Sequence, residues 1–160
     1  MSLSHQLSNG YEIRLLKEGD DVLSMIKEFH ALGPHKDEIL SDDYINEVVD
    51  SYVGCDITQK MFVVLTKDDE VVGLLFAMAS EGGHLVIKSK IGFELVWWVD
   101  PKHRKSGMGV KLLEAFEAWG NAVGCTHLIG SHIHGNKKIS DLYKSNGYTP
   151  IEESYIKVLS

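Results

Sequence analysis

Cysteine, cationic charge and long apolar runs are all scarce in this chain of 160 residues. The two cysteines, Cys55 and Cys125, are too few for a disulfide framework and form no C-x-x-C pair. Free thiols in a reducing compartment are the simplest reading, so a cytoplasmic protein is expected. Sixteen Lys and Arg stand against 23 Asp and Glu, for a net charge of -7. A broad nucleic-acid footprint would need the opposite balance, so no nucleic-acid partner is expected. The longest apolar stretch, residues 71–79, is too short to span a bilayer as a helix. No basic stretch followed by an apolar run opens the chain, so neither a signal peptide nor a membrane partner is expected.

What is present points to a single globular domain. Hydrophobic residues make up 44% and charged residues 24%, which excludes disordered and collagen-like classes. The length suffices to bury roughly two-thirds of the unfolded surface. Residues 1–9 carry no pattern and read as a flexible leading segment, leaving residues 10–160 as the domain.

Hydrophobic spacing then places the elements. Residues 11–15 alternate like a strand. Asp20 or Asp21 can cap a helix whose apolar positions are Val22, Met25, Ile26 and Phe29, and Gly33-Pro34 breaks it. A second helix spans residues 41–52. Residues 61–65 and 71–79 flank the polar turn at residues 67–70 and read as a hairpin. Residues 93–99 form a strand dense in large apolar groups, stopped by Asp100-Pro101. The helical period returns from Gly107 in Leu112, Leu113, Phe116, Trp119 and Val123. Residues 126–133 read as a strand, 137–146 as a short helix and 154–159 as a last strand. The expected order is β-α-α-β-β-β-α-β-α-β-β, an α/β domain with a mixed sheet of about seven strands and about four helices.

The most informative segment is residues 99–109. It joins the central strand to an amphipathic helix, with Gly107 and Gly109 where that helix begins. A helix start offers unpaired N–H groups and the positive end of the macrodipole, which suits a phosphate. Lys102, Arg104, Lys105 and Lys111 gather there in an otherwise acidic chain. Two common phosphate motifs are excluded. The Lys105-Ser106 pair lacks the glycine that a Walker A loop carries five residues before its lysine. The third glycine of a dinucleotide fingerprint is replaced by Leu112. A glycine-containing turn with a solvated charge run remains the plain alternative.

Arg104-Lys105-Ser106-Gly107-Met108-Gly109 resembles motif A of the GNAT-type N-acetyltransferases, Gln/Arg-x-x-Gly-x-Gly/Ala after a Val-x-Pro strand end. Downstream, Asn136 and the run Leu142-Tyr143-Lys144-Ser145-Asn146-Gly147-Tyr148 resemble that family's Asn–Tyr element. The resemblance covers residues 11–159, and the run Glu94-Leu95-Val96-Trp97-Trp98-Val99 also resembles small phage-encoded members. It implies a strongly twisted central sheet with helices on both faces, and an enzyme that uses acetyl-CoA as cosubstrate to acetylate an amine.

Residue by residue, the resemblance implies that backbone N–H groups of Lys105, Ser106, Gly107, Met108, Gly109 and Val110 hold the pyrophosphate, with Arg104 beside them. Trp97, Trp98 and Val99 would pair with the pantetheine like an extra strand, and Asn136 would hold its arm. Tyr143 would protonate the departing thiolate; its plain alternative is an aromatic core anchor.

A base must take the acceptor's proton, because a lysine-like amine starts near pKa 10.4. Glu94 is the best candidate, with apolar neighbours that would raise its pKa. One family pattern is missing: the position five residues before Asn136, where some members carry a base glutamate, is Ser131. Glu94, His132, His134 or a water chain therefore all stay open as the base.

His132 and His134 share a strand face near His127, but no third ligand is assured, so no metal is expected. Asp37, Glu38, Asp42 and Asp43 could attract a cationic amine or simply form a solvated surface. A small-molecule or peptide amine is the expected acceptor, and a homodimer is common for such folds. Two other readings stay on the table: a non-catalytic acyl-CoA-binding module, prompted by Ser131, and a metal-dependent hydrolase using the histidines.

Overall fold

The structure, a computed structural model, describes residues 4–33, 35–82, 88–133, 135–155, 157 and 159. Six strands form one sheet in the order β1-β2-β3-β4-β5-β6. They are β1 (His5–Gln6), β2 (Tyr11–Leu15), β3 (Lys60–Lys67), β4 (Glu70–Glu81), β5 (Lys90–Val99) and β6 (His127–Ile129). Neighbours from β1 to β5 run antiparallel, whereas β6 lies parallel to β5. The helices are α1 (Leu23–Leu32), α2 (Asp42–Asp50), α3 (Met108–Ala122) and α4 (Lys137–Ser145).

The sheet is hydrophobic on both faces because its central strands carry unbroken apolar runs rather than alternation. Met61, Val63, Leu65, Leu75 and Ala77 point to one side, where Leu112, Leu113, Phe116 and Trp119 of α3 pack almost fully buried. Phe62, Val64, Leu74 and Val96 point to the other, against Met25 and Phe29 of α1 and Val49 of α2. Burying such a side chain stabilises the fold by about 1.5–3 kcal/mol. Helices thus cover both faces, as the resemblance implies.

Two expectations are corrected, and a third, the strand over residues 154–159, lies partly outside the described residues. Residues 1–9 are not featureless, since His5 and Gln6 pair with Ile13 and Glu12. The strand expected over residues 126–133 pairs only through Ile129, because the chain turns out of the sheet at Gly130 and Ser131. No strand follows α4 among the described residues, although Ile156 and Val158 lie outside them. Among the described residues the sheet has six strands, and the element order begins β-β-α and ends β-α.

A smaller correction concerns α1. Neither aspartate caps it: Asp20 is held by the Arg14 guanidinium at 2.7 and 2.8 Å and by the Lys17 N–H at 2.9 Å. The charge pair outcompetes the cap, and Val22 enters the helix without a side-chain bond. By contrast, the Ser41 hydroxyl caps α2, and Asp68 and Asp69 turn the β3–β4 hairpin with φ of 51° and 71°. Both central residues at positive φ match the twist of the flanking strands.

Two irregularities position everything that follows. Phe76 faces Val96, but Ala77 faces Glu94, so Leu95 is an extra residue in β5. That bulge reverses the alternation and sends Glu94 to the α3 side while Val96 stays on the α1–α2 side. In addition, β5 and β6 pair only from Ile91↔His127 to Phe93↔Ile129. Beyond Phe93 the strands part, and from Glu94 to Val99 the edge of β5 opposite β4 has no strand beside it among the described residues.

Candidate active site

At the end of β5 the Asp100 carboxylate accepts from the Lys102 N–H at 2.8 Å and starts a tight turn over Pro101–Ser106. The Ser106 hydroxyl donates to the His103 carbonyl and accepts from the Met108 N–H at 3.3 Å. Gly107 then takes a φ of 78°, with nothing within 4 Å of where a Cβ would stand. This is a conformation L side chains rarely adopt, so the backbone itself requires glycine there. The α3 helix begins at the next residue, with its first amides and its positive dipole end facing the turn.

The four gathered cations do not behave alike. Lys111 pairs with Glu114 at 2.7 Å. Arg104 folds back: its Nε donates to the Val99 carbonyl at 2.8 Å and its guanidinium lies 4.3 Å from the Trp98 ring. Lys102 and Lys105 make no ion pair among the described residues. His103 is tied across the sheet to the Tyr11 hydroxyl at 2.8 Å, a long-range anchor with no signal in the local sequence.

Trp97 and Trp98 point to opposite sheet faces. Trp98 meets Phe29 of α1 edge-on, whereas Trp97 meets Tyr143 edge-on with ring centres 5.7 Å apart. Gly109 lies beside Trp97, where a Cβ would meet its ring at an ordinary 3.6 Å. Packing alone therefore does not demand glycine at 109.

The chemically loaded part is a buried couple. Tyr143 of α4 donates its hydroxyl to Glu94 Oε2 at 2.6 Å, and the two residues are 5% and 6% exposed. The Ser131 N–H donates to the same oxygen at 3.3 Å, while the Ser131 carbonyl lies 3.3 Å from the Tyr143 hydroxyl. Glu94 Oε1 accepts no hydrogen bond among the described residues. Burial pushes the Glu94 carboxyl up to about 7, against the opposite pull of the Tyr143 and Ser131 donors. Burial, followed by the charge of Glu94, pushes the Tyr143 hydroxyl well above the usual tyrosine range.

Tyr143 is held tightly. Its ring tilts against Tyr148 at 5.1 Å, and a Cβ on Gly130 would stand only 2.4 Å from its Cε1. Gly130 is thus the seat that lets the ring slide under the end of β6. Neither Gly130 nor the Ser131 backbone was legible as a site feature. The missing glutamate at Ser131 is answered by main chain that holds a glutamate from β5 instead.

Asn136 caps α4, its Oδ1 accepting from the Ile139 N–H at 3.3 Å. Its carbonyl is thereby occupied, and its side-chain amide group is the part left to meet a ligand. His132 and His127 are exposed, and neither touches Glu94 or Tyr143; His134 lies outside the described residues. Among the described residues no group of three or more His, Cys, Asp or Glu could hold a metal. No helix among them is long and apolar enough to cross a membrane.

The site thus joins a mixed sheet that splays after a central bulge to a glycine-bearing turn that feeds a helix at the splay. The sequence model of the Acetyltransferase (GNAT) family matches residues 26–148, more than half of the chain, so the protein belongs to that family and is an acyltransferase. Solved structures agree on the fold. Aminoglycoside N-acetyltransferase AAC(6')-Iy, solved with a CoA-containing bisubstrate analogue, is 17% identical at a TM-score of 0.72, covering 94% of this chain and 98% of that one. A Trypanosoma brucei acetyltransferase is 21% identical at 0.68, covering 93% and 99%. AAC(6')-Ih from Acinetobacter baumannii is 17% identical at 0.69, covering 94% and 99%. Among curated proteins none matches the chain. At these identities the structural likeness speaks for the fold and leaves the acceptor open.

Proposed function

We propose that the protein is an acetyl-CoA-dependent N-acetyltransferase that moves an acetyl group directly onto the amine of a small molecule or peptide in the cytoplasm. The observation that carries this reading is the Glu94–Tyr143 couple, buried where β5 loses its neighbour and an extended ligand can lie along the free edge.

The residues present suit acetyl-CoA. The diphosphate is assigned to the backbone N–H groups of Lys105, Ser106, Gly107, Met108, Gly109 and Val110 around the helix start. There the Met108 and Val110 N–H groups already meet the Ser106 hydroxyl and the Gly107 carbonyl, and would have to share or exchange those bonds. Trp97, Trp98 and Val99 offer an amide-bearing arm a strand edge without a partner strand among the described residues, with the Val99 carbonyl already held by Arg104, and the Asn136 amide lies at the start of α4. Arg104 braces the strand end from its place on Trp98, while Lys102 and Lys105 supply the cationic field. Acetyl-CoA supplies the activated acetyl group and the thiol as leaving group.

Glu94 is the base. A carboxyl near 7 is matched to proton transfer at neutral pH. Tyr143 is the acid for the departing sulfur. A backbone N–H on the β5 edge polarises the reacting carbonyl. The test is thiol release from acetyl-CoA against polyamines, aminoglycosides, amino acids and peptide N-termini. The reading expects turnover with at least one class; acetyl-CoA binding with no thiol release from any of them would overturn it.

A further inference from the structure

In the structure the base and the acid are not two separate groups flanking a gap. The Tyr143 hydroxyl is already committed to Glu94 Oε2, at 2.6 Å. While Glu94 is a carboxylate, that bond keeps the Tyr143 proton directed at Glu94, and Gly130 and Tyr148 leave the ring little room to turn elsewhere. Glu94 Oε1 is the oxygen left for an incoming proton. We infer, building on the acetyl-transfer reading, that Glu94 and Tyr143 form one gated relay: capture of the acceptor's proton by Glu94 is what releases Tyr143 to protonate the leaving sulfur.

The balance closes within one turnover. As the N–C bond forms and the C–S bond breaks, the amine proton passes to Glu94 Oε1 and the C–S electron pair goes to sulfur. Glu94, now neutral, no longer holds the Tyr143 hydroxyl as a charged acceptor, and Tyr143 gives its proton to sulfur. Rotation of the carboxyl about its soft terminal torsion presents the captured proton to the tyrosine oxygen. Glu94 ends as carboxylate and Tyr143 as phenol, ready for the next cycle, with no proton taken from or given to solvent. The order matters because an anionic neighbour makes a phenol a poorer acid. The charge on Glu94 contributes to raising the Tyr143 hydroxyl above its ordinary range, and neutralising Glu94 removes that contribution. Among the described residues, Tyr143 and Tyr148 are the titratable side chains that interact with Glu94; from β4 it faces Ala77, and Ser131 meets it with backbone.

Groups that act as one unit lose function non-additively. With the best acceptor from the thiol-release panel, Glu94→Gln and Tyr143→Phe are each expected to lower kcat by about 100-fold or more. The double variant should be no worse than the poorer single one, within about threefold. Losses that multiply would overturn the relay while leaving acetyl transfer intact, and so would full activity in either single variant. A wild-type protein that releases no thiol would instead overturn the underlying reading. A second readout needs no turnover: the ring-carbon NMR signal of labelled Tyr143 should move with the titration of Glu94 near pH 7 and stay flat there in Glu94→Gln. A Tyr143 signal insensitive to Glu94 would overturn the coupling, even if both variants were slow. Unchanged acetyl-CoA affinity in the variants confirms that they are folded.

Discussion

The turn that follows β5, proposed to hold phosphate, and the buried Glu94–Tyr143 couple, proposed to move protons, are built in opposite ways. Apart from the long-range His103–Tyr11 bond, the turn is local: Asp100, Ser106 and Gly107 shape it through contacts two or three residues apart, and Lys102 and Lys105 stay in solvent. The couple is assembled at long range, from Glu94 on β5 and Tyr143 on α4, both withdrawn from water, with the backbone of the exposed Ser131 after β6. Binding charge needs only a solvated field and open amides. A glutamate that moves a proton at neutral pH needs desolvation, which the packed fold provides.

The sharpest way to separate the two regions is Tyr143→Phe. It should lower kcat by about 100-fold or more while acetyl-CoA affinity, read by calorimetry, stays within about threefold. A matched loss of affinity would merge the two regions into one.

Next in size is the pH dependence of stability. Glu94 sits near 7 when folded, against an ordinary 4.5. It binds its proton more tightly folded than unfolded, so its contribution is fully present below about 4.5 and is lost as pH rises through 7. The loss amounts to about 3 kcal/mol. Urea unfolding should show it between pH 5 and 8, and Glu94→Gln should flatten that slope. An unchanged slope in the variant would place the effect elsewhere.

Gly130→Ala should follow, because a Cβ 2.4 Å from the Tyr143 ring forces the ring or the chain to shift. We expect destabilisation of about 1–3 kcal/mol, together with slower turnover. Gly107→Ala meets no neighbour and is strained only through its φ of 78°. It should cost roughly 1–2 kcal/mol, with weaker acetyl-CoA binding and little change in kcat. The smallest effect belongs to Lys105→Ala, a few-fold loss of acetyl-CoA affinity that salt diminishes.

Legibility followed the same divide. The loop, the hairpin at Asp68-Asp69, α3 and α4 could be read within a residue or two, because turn chemistry and helical periodicity are local signals. Glu94 and Tyr143 were each legible as candidates, but nothing in their spacing says that they touch. The bulge at Leu95, which turns Glu94 toward α4, exists only through pairing with β4. Likewise Gly130 reads as an ordinary break until the Tyr143 ring is seen beneath it. The short β1 strand and the early end of β6 were missed for the same reason: a partner strand decides both.

One measurement bears most directly on the buried couple as the centre of acetyl transfer, the pH profile of kcat/KM for wild type and Glu94→Gln. The wild-type rate should rise through about 7 as Glu94 loses its proton, and that limb should vanish in the variant, leaving only the acceptor amine's own titration. An identical limb near 7 in Glu94→Gln, at undiminished rate, would contradict it.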